Sequence, residues 1–186
     1  DGHTNFVNSV AWNPQGRLAS GSDDRSVKIW DINTNKCVQT LDGHTHYVKS
    51  VAWNYQGTLL TSGSWDKTIK IWDTNTWKCI QTLEGHVGWV RSVAWNSQGT
   101  LLASGSEDTT IKIWDSKDSK TWECVQTLEG HTHCVMSVAW NSQGTMLSSG
   151  SWDRRIKIWN TKSWKCVQTL EGHTRGVKSV AWNPSG

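Results

Sequence analysis

The dipeptide Gly-His returns five times in this chain, at Gly2-His3, Gly43-His44, Gly85-His86, Gly130-His131 and Gly172-His173, with spacings of 41, 42, 45 and 42 residues. The same words follow each time in the same order: Ser-Val-Ala-Trp-Asn, Ser-Gly-Ser, Lys-Ile-Trp, then Cys-(Val/Ile)-Gln-Thr-Leu. Four units are complete, and a fifth stops at Gly186 after its first apolar run. A unit this short cannot bury its own apolar surface, so the period demands a stack of similar units.

Each unit reads as four short strands. In the first, Val7–Trp12, Leu18–Ser22, Ser26–Trp30 and Cys37–Leu41 are β-rich, and Asn-Pro-Gln-Gly, Asp-Asp-Arg and Ile-Asn-Thr-Asn-Lys separate them as turns. Strict alternation puts Val7, Ser9 and Ala11 on one face and Val10 and Trp12 on the other. A small face and a bulky face suit sheets stacked side by side around an axis, where small residues receive large ones from the neighbour.

Gly-His near the start of a unit and Trp-Asp near its end resemble the WD40-repeat family. Trp30-Asp31, Trp72-Asp73 and Trp114-Asp115 carry the second signature, and the fourth unit has Trp159-Asn160. The resemblance covers essentially the whole chain, and the near-identity of the units resembles recently amplified or designed propellers. It implies an all-β, WD40-type β-propeller with four complete four-stranded blades at about 4–42, 45–84, 87–129 and 132–171, and the first strand of a fifth in 172–186. The sequence opens on Asp1 without an initiator Met, which reads as a trimmed start. Rings of this family usually close by completing one blade from both chain ends. Here the ends do not supply complementary strands. The expectation is therefore a segment of a longer propeller of about seven blades, or two copies in one ring of about eight. Self-association or additional blades would close the ring.

Every complete unit holds His, Ser, Asp and Trp in fixed register: His3, Ser20, Asp24 and Trp30; His44, Ser62, Asp66 and Trp72; His86, Ser104, Asp108 and Trp114; His131, Ser149, Asp153 and Trp159. Ser, His and Asp are the composition of a hydrolase triad, which is defined by geometry rather than order. The family resemblance implies something else: a structural tetrad in which the indole donates to Ser, Ser to His and His to Asp. Four copies of one active site in one ring are rare in enzymes, so the tetrad reading is preferred and no catalytic residue is assigned.

Cys37, Cys79, Cys124 and Cys166 fall at one equivalent position per unit, too far apart for disulfides and without the paired spacing of a zinc site. No metal and no cofactor is expected. Lys+Arg total 19 and Asp+Glu 16, a balance of +3 that gives no basic stripe for nucleic acid. No apolar run approaches the roughly 20 residues of a membrane helix. Five cysteines, an odd number, and the lack of an Asn-x-Ser/Thr sequon point to a reducing, cytoplasmic setting.

The positions that differ between copies carry the functional reading. Shortly after Gly-His stand Phe6, Tyr47, Trp89, Cys134 and Gly176; two places later Asn8, Lys49, Arg91, Met136 and Lys178; before the tetrad Asp, Asp23, Trp65, Glu107 and Trp152. The His–Asp contact should bring these positions to one face, around the channel mouth. Of 15 Trp, nine belong to first strands and tetrads, Trp77, Trp122 and Trp164 are expected on the outer rim, and Trp65, Trp89 and Trp152 on that face. Exposed aromatic rings make interface hot spots. The expectation is a non-catalytic protein-interaction scaffold that binds a protein or peptide, with the acids suggesting a basic one. A lectin-like, carbohydrate-binding propeller is the alternative.

Overall fold

The computed structural model describes residues 2–116 and 121–183, and within them the chain forms sixteen strands and no helix. They make four antiparallel sheets, each paired in chain order. The first holds β1 (Val7–Trp12), β2 (Arg17–Ser22), β3 (Val27–Asp31) and β4 (Lys36–Leu41). The second holds β5 (Val48–Trp53), β6 (Leu59–Ser64), β7 (Ile69–Asp73) and β8 (Cys79–Leu83). The third holds β9 (Val90–Trp95), β10 (Leu101–Ser106), β11 (Ile111–Ser116) and β12 (Trp122–Leu128). The fourth holds β13 (Val135–Trp140), β14 (Met146–Ser151), β15 (Ile156–Asn160) and β16 (Lys165–Leu170). Successive sheets meet through their first and second strands, as blades fanned about an axis.

The core lies between blades. Ala19, Val27, Ile29 and Leu41 of blade one enclose Val48, Val51 and Trp53 of blade two, and equivalent clusters form at the next two interfaces. The glycine of Ser-Gly-Ser makes this approach possible. A Cβ on Gly21 would stand 2.6 Å from Val48 Cγ1, and one on Gly63 2.7 Å from Val90 Cγ1. Both valines of the first strand therefore face the preceding blade, which corrects the alternation expected from the sequence. A bulge is the cause: the β5–β6 register shifts between Val48 and Ser50, so the intervening residue reverses the sense of alternation. The same shift separates Val7 from Ser9.

Polar links repeat with the packing. The amides of Val51, Val93, Val138 and Val180 donate to the hydroxyls of Ser9, Ser50, Ser92 and Ser137 in the preceding blade. The indoles of Trp53, Trp140 and Trp182 donate to the carbonyls of Ala11, Ala94 and Ala139. At the blade ends remote from the Gly-His loops, the side-chain amide of Gln15 donates to the Gln56 carbonyl at 3.1 Å, Gln56 to Gln98 at 3.0 Å, and Gln98 to Gln143 at 3.4 Å. The described residues of the fifth unit obey the same rules: Val177 is buried against Gly150, and Val180 and Trp182 make the standard links.

Trp77, Trp122 and Trp164 stand at the turn before the fourth strand or at its start. They are half-buried and pack edge-on against the first-strand rings Trp53, Trp95 and Trp140, with centroids 6.2, 5.4 and 6.2 Å apart. Each leans on the Trp that ends the first strand.

Candidate functional site

Within each blade the Gly-His loop and the second-to-third-strand turn meet at the same end. The indole N–H of Trp30, Trp72, Trp114 and Trp159 donates to Ser20, Ser62, Ser104 and Ser149 over 2.7–2.9 Å. Each serine oxygen lies 2.6–2.7 Å from the Nε2 of His3, His44, His86 or His131. Each Nδ1 lies 2.6–2.8 Å from Asp24, Asp66, Asp108 or Asp153. An indole can only donate, so the serine proton turns to Nε2, and Nδ1–H is left to face the carboxylate. Ser62, Ser104 and Ser149 are fully buried, so no acyl donor can approach their hydroxyls.

The carboxylate has further donors. The amides of Thr4, Thr45, Val87 and Thr132 bind its Oδ2. The hydroxyls of Ser26, Thr68 and Thr110 bind Oδ1 at 2.7 Å in the first three blades. Burial alone would raise these carboxyls. Donation from His44 and Thr68, with the attraction of the His44 ring, outweighs it at Asp66 and holds the group well below the usual carboxylate range. Asp108 is held down in the same way by His86 and Thr110, and Asp24 by the hydroxyl and amide of Ser26 with help from His3 and the Thr4 amide. In blade four Arg155 replaces the hydroxyl residue and offers Asp153 only its backbone amide. There burial pushes His131 below its ordinary value despite the bond to Asp153. These serines and threonines were missed in the sequence, although a Ser or Thr two places after the tetrad Asp in three units of four was a visible signal.

The variable positions are joined by backbone bonds. The amides of Asp23, Trp65, Glu107 and Trp152 donate to the carbonyls of Phe6, Tyr47, Trp89 and Cys134. Trp65 and Trp89 stack across the blade boundary, centroids 4.0 Å apart and planes 11° from parallel, and Tyr47 and His46 lie against Trp65 at 5.2 and 5.5 Å. Lys49 stands 4.5 Å over the Trp65 ring, and Arg91 lies 4.7, 5.1 and 5.9 Å from Trp65, Trp89 and Trp152. Asp23 accepts from Lys49 and Asn8, each at 2.7 Å, while Glu107 is only loosely paired with Arg91 at 3.9 Å. The buried Trp65 Nε1 and Arg91 Nε find no acceptor. Phe6 stands apart at 77% exposure, Met136 is half-buried on β13, and Trp152 is the most open of the three tryptophans at 42%. No group of three or more potential metal ligands occurs among the described residues, and no helix there is long and apolar enough to cross a membrane.

Blades fanned about an axis, each tied by a Trp–Ser–His–Asp chain and varied in its loops at one end, define a propeller-type repeat protein. The family model described as "WD domain, G-beta repeat" matches residues 1–31, 35–73, 77–115, 122–160 and 164–186, and the chain belongs to the WD40 repeat family. The internal matches run from the fourth strand of one blade to the third of the next, so the sequence repeat is offset from the sheet. The chain is also similar to the ribosome biogenesis protein BOP1 homologs of Drosophila virilis and Drosophila melanogaster, 52% identical over 42 residues. That stretch is 22% of this chain and 5% of each relative.

Proposed function

We propose that the chain is a non-catalytic scaffold that binds a protein or peptide partner on the face bearing the Gly-His loops. One observation carries the reading: among the residues that differ between blades of near-identical core, Tyr47, Lys49, Trp65, Trp89, Arg91 and Trp152 gather there into a continuous patch of rings and charges. Identical packing does not dictate them, and Trp, Tyr and Arg are the residues that concentrate binding energy. The tetrads, although they hold Ser, His and Asp, are consumed by internal bonds, which supports a non-enzymatic role.

The sign of the partner follows from the contacts already made. Lys49 and Arg91 cap the Trp65 and Trp89 rings, and Asp23 is engaged by Lys49. A basic segment would have to displace both cations, so a neutral or acidic partner fits better than the basic one suggested by Asp23 and Glu107. The match to ribosome biogenesis proteins is one blade long and transfers none of their partners.

The test is a peptide array beside a glycan array, probed with the wild-type chain and with a Trp65→Ala, Trp89→Ala, Trp152→Ala triple variant. Peptide binding that the triple variant loses supports the proposal. Binding confined to glycans would overturn it in favour of a lectin-like role.

A further inference from the structure

The groove between blade four and the fifth unit differs in charge from its counterpart between blades one and two. It offers about 470 Å³ between Trp152, Arg154, Arg175 and Lys178, with His133 at its edge, against about 510 Å³ in the counterpart. Among the described residues Arg154, Arg175 and Lys178 have no ion-pair partner, and all three are exposed. The carboxylates nearest in sequence are occupied: Asp153 by His131 and the Thr132 amide, Glu171 by Arg155 at 2.9 Å. In the corresponding groove between blades one and two, Asp23 neutralises Lys49.

Gly176 shapes the groove. At this position the other units carry Phe6, Tyr47, Trp89 and Cys134. A Cβ on Gly176 would stand 2.7 Å from Trp152 Cδ1, so the missing side chain lets the indole lie against the backbone of the fifth unit. The result is a partly open ring flanked by uncompensated cations. Like charges gathered in a concave site raise the local potential for anions, and charge-assisted bonds to carboxylates are among the stronger polar contacts.

We propose that this groove takes an acidic stretch of a protein partner, its carboxylates on Arg154, Arg175 and Lys178 and an apolar side chain against Trp152. The inference rests on the reading that this face binds partners, and assigns one groove and one chemistry within it.

The probe is a short fluorescein-labelled peptide in which glutamates flank a phenylalanine, with glutamine and lysine counterparts, measured by fluorescence anisotropy. Wild-type protein should bind the glutamate peptide about tenfold or more tightly than the glutamine peptide, and rising salt should weaken it. The Arg154→Gln, Arg175→Gln, Lys178→Gln variant should lose about tenfold or more, whereas Arg25→Gln and Lys67→Gln should each change binding less than about twofold. Arg175→Glu alone, its fold checked by thermal melting, should also weaken the glutamate peptide. A preference for the lysine peptide overturns the groove, as does duplex DNA binding as tightly as the glutamate peptide. Loss of glutamate-peptide binding through Trp65→Ala, Trp89→Ala but not through the groove variants overturns the groove and leaves the partner-binding face standing. A peptide insensitive to both sets overturns both.

Discussion

Trp65 of blade two and Trp89 of blade three lie face to face, 4.0 Å between centroids and 11° from parallel. Both belong to loops at one end of their blades, so the pair links the proposed binding patch to the packing of the scaffold. Trp89→Ala should therefore do two things. It should weaken partner binding, and it should destabilise the chain by about 1–3 kcal/mol through lost stacking and burial. Urea titration gives the second number; an unshifted midpoint would mean that the stack contributes nothing to folding.

Removing the tetrad acid isolates a different energy. Asp66→Ala leaves His44, Thr45 and Thr68 without their common acceptor. A loss of about 1–3 kcal/mol is expected. Equal stability of the variant and the wild type would deny the tetrad its structural role.

Blade four offers a gain. Arg155 stands where Ser26, Thr68 and Thr110 donate a hydroxyl to the tetrad acid, and its own ion pair with Glu171 is largely exposed. Exposed pairs contribute little, whereas a hydrogen bond to a charged group contributes about 1.5–3 kcal/mol. Arg155→Thr should raise the melting temperature, and a lower one would show that Asp153 is already satisfied.

Acid should act first on His131. Its folded-state pKa is lowered, chiefly by burial, so the unfolded chain takes up the proton at a higher pH than the folded one. Below the usual histidine value of about 6.5 the unfolded state binds more protons, and stability declines as pH falls towards the folded value; above about 6.5 the contribution is complete. The tetrad carboxyls are also lowered, so their contribution is lost only as pH falls below about 3.8. Melting temperature should fall between pH 7 and pH 5, and less steeply in His131→Gln. A flat profile in the wild type contradicts this.

The blade interface can be probed with one carbon. Gly63→Ala places a Cβ 2.7 Å from Val90 Cγ1 and 3.0 Å from Val93 Cγ1. Overpacking of this kind costs about 1–3 kcal/mol. Val90→Ala in the same chain should restore part of the loss, and a double variant no better than Gly63→Ala would place the strain elsewhere.

The tetrads were legible because the repeat supplies four aligned copies: His44, Ser62, Asp66 and Trp72 recur in register even though 28 residues separate the first from the last. The sides on which Val48 and Val51 point were not legible. Alternation assumes an unbroken ladder, and a bulge is set by how two strands pair rather than by one strand's own sequence. The packing of Trp77 was not legible for a related reason, since its support is a ring on another strand. Lys49 and Arg91 were read onto the same face as Trp65, but their contacts with its ring were not legible, since they depend on how neighbouring blades sit against each other. The glutamine links had a signal that went unread: Gln15, Gln56, Gln98 and Gln143 occupy one position in four units.

Those glutamines give the array a heading. The side-chain amides of Gln15, Gln56 and Gln98 reach forward to the main chain of the following blade, while the valine amides and indoles reach back. Every blade thus has two unlike flanks, one carrying the glycine hollow and the other the valines that enter it. Like flanks brought together would set valine against valine with no hollow to receive either. Mating is heterologous by construction, so blades can be added in one sense only, whether the next blade comes from the same chain or from another.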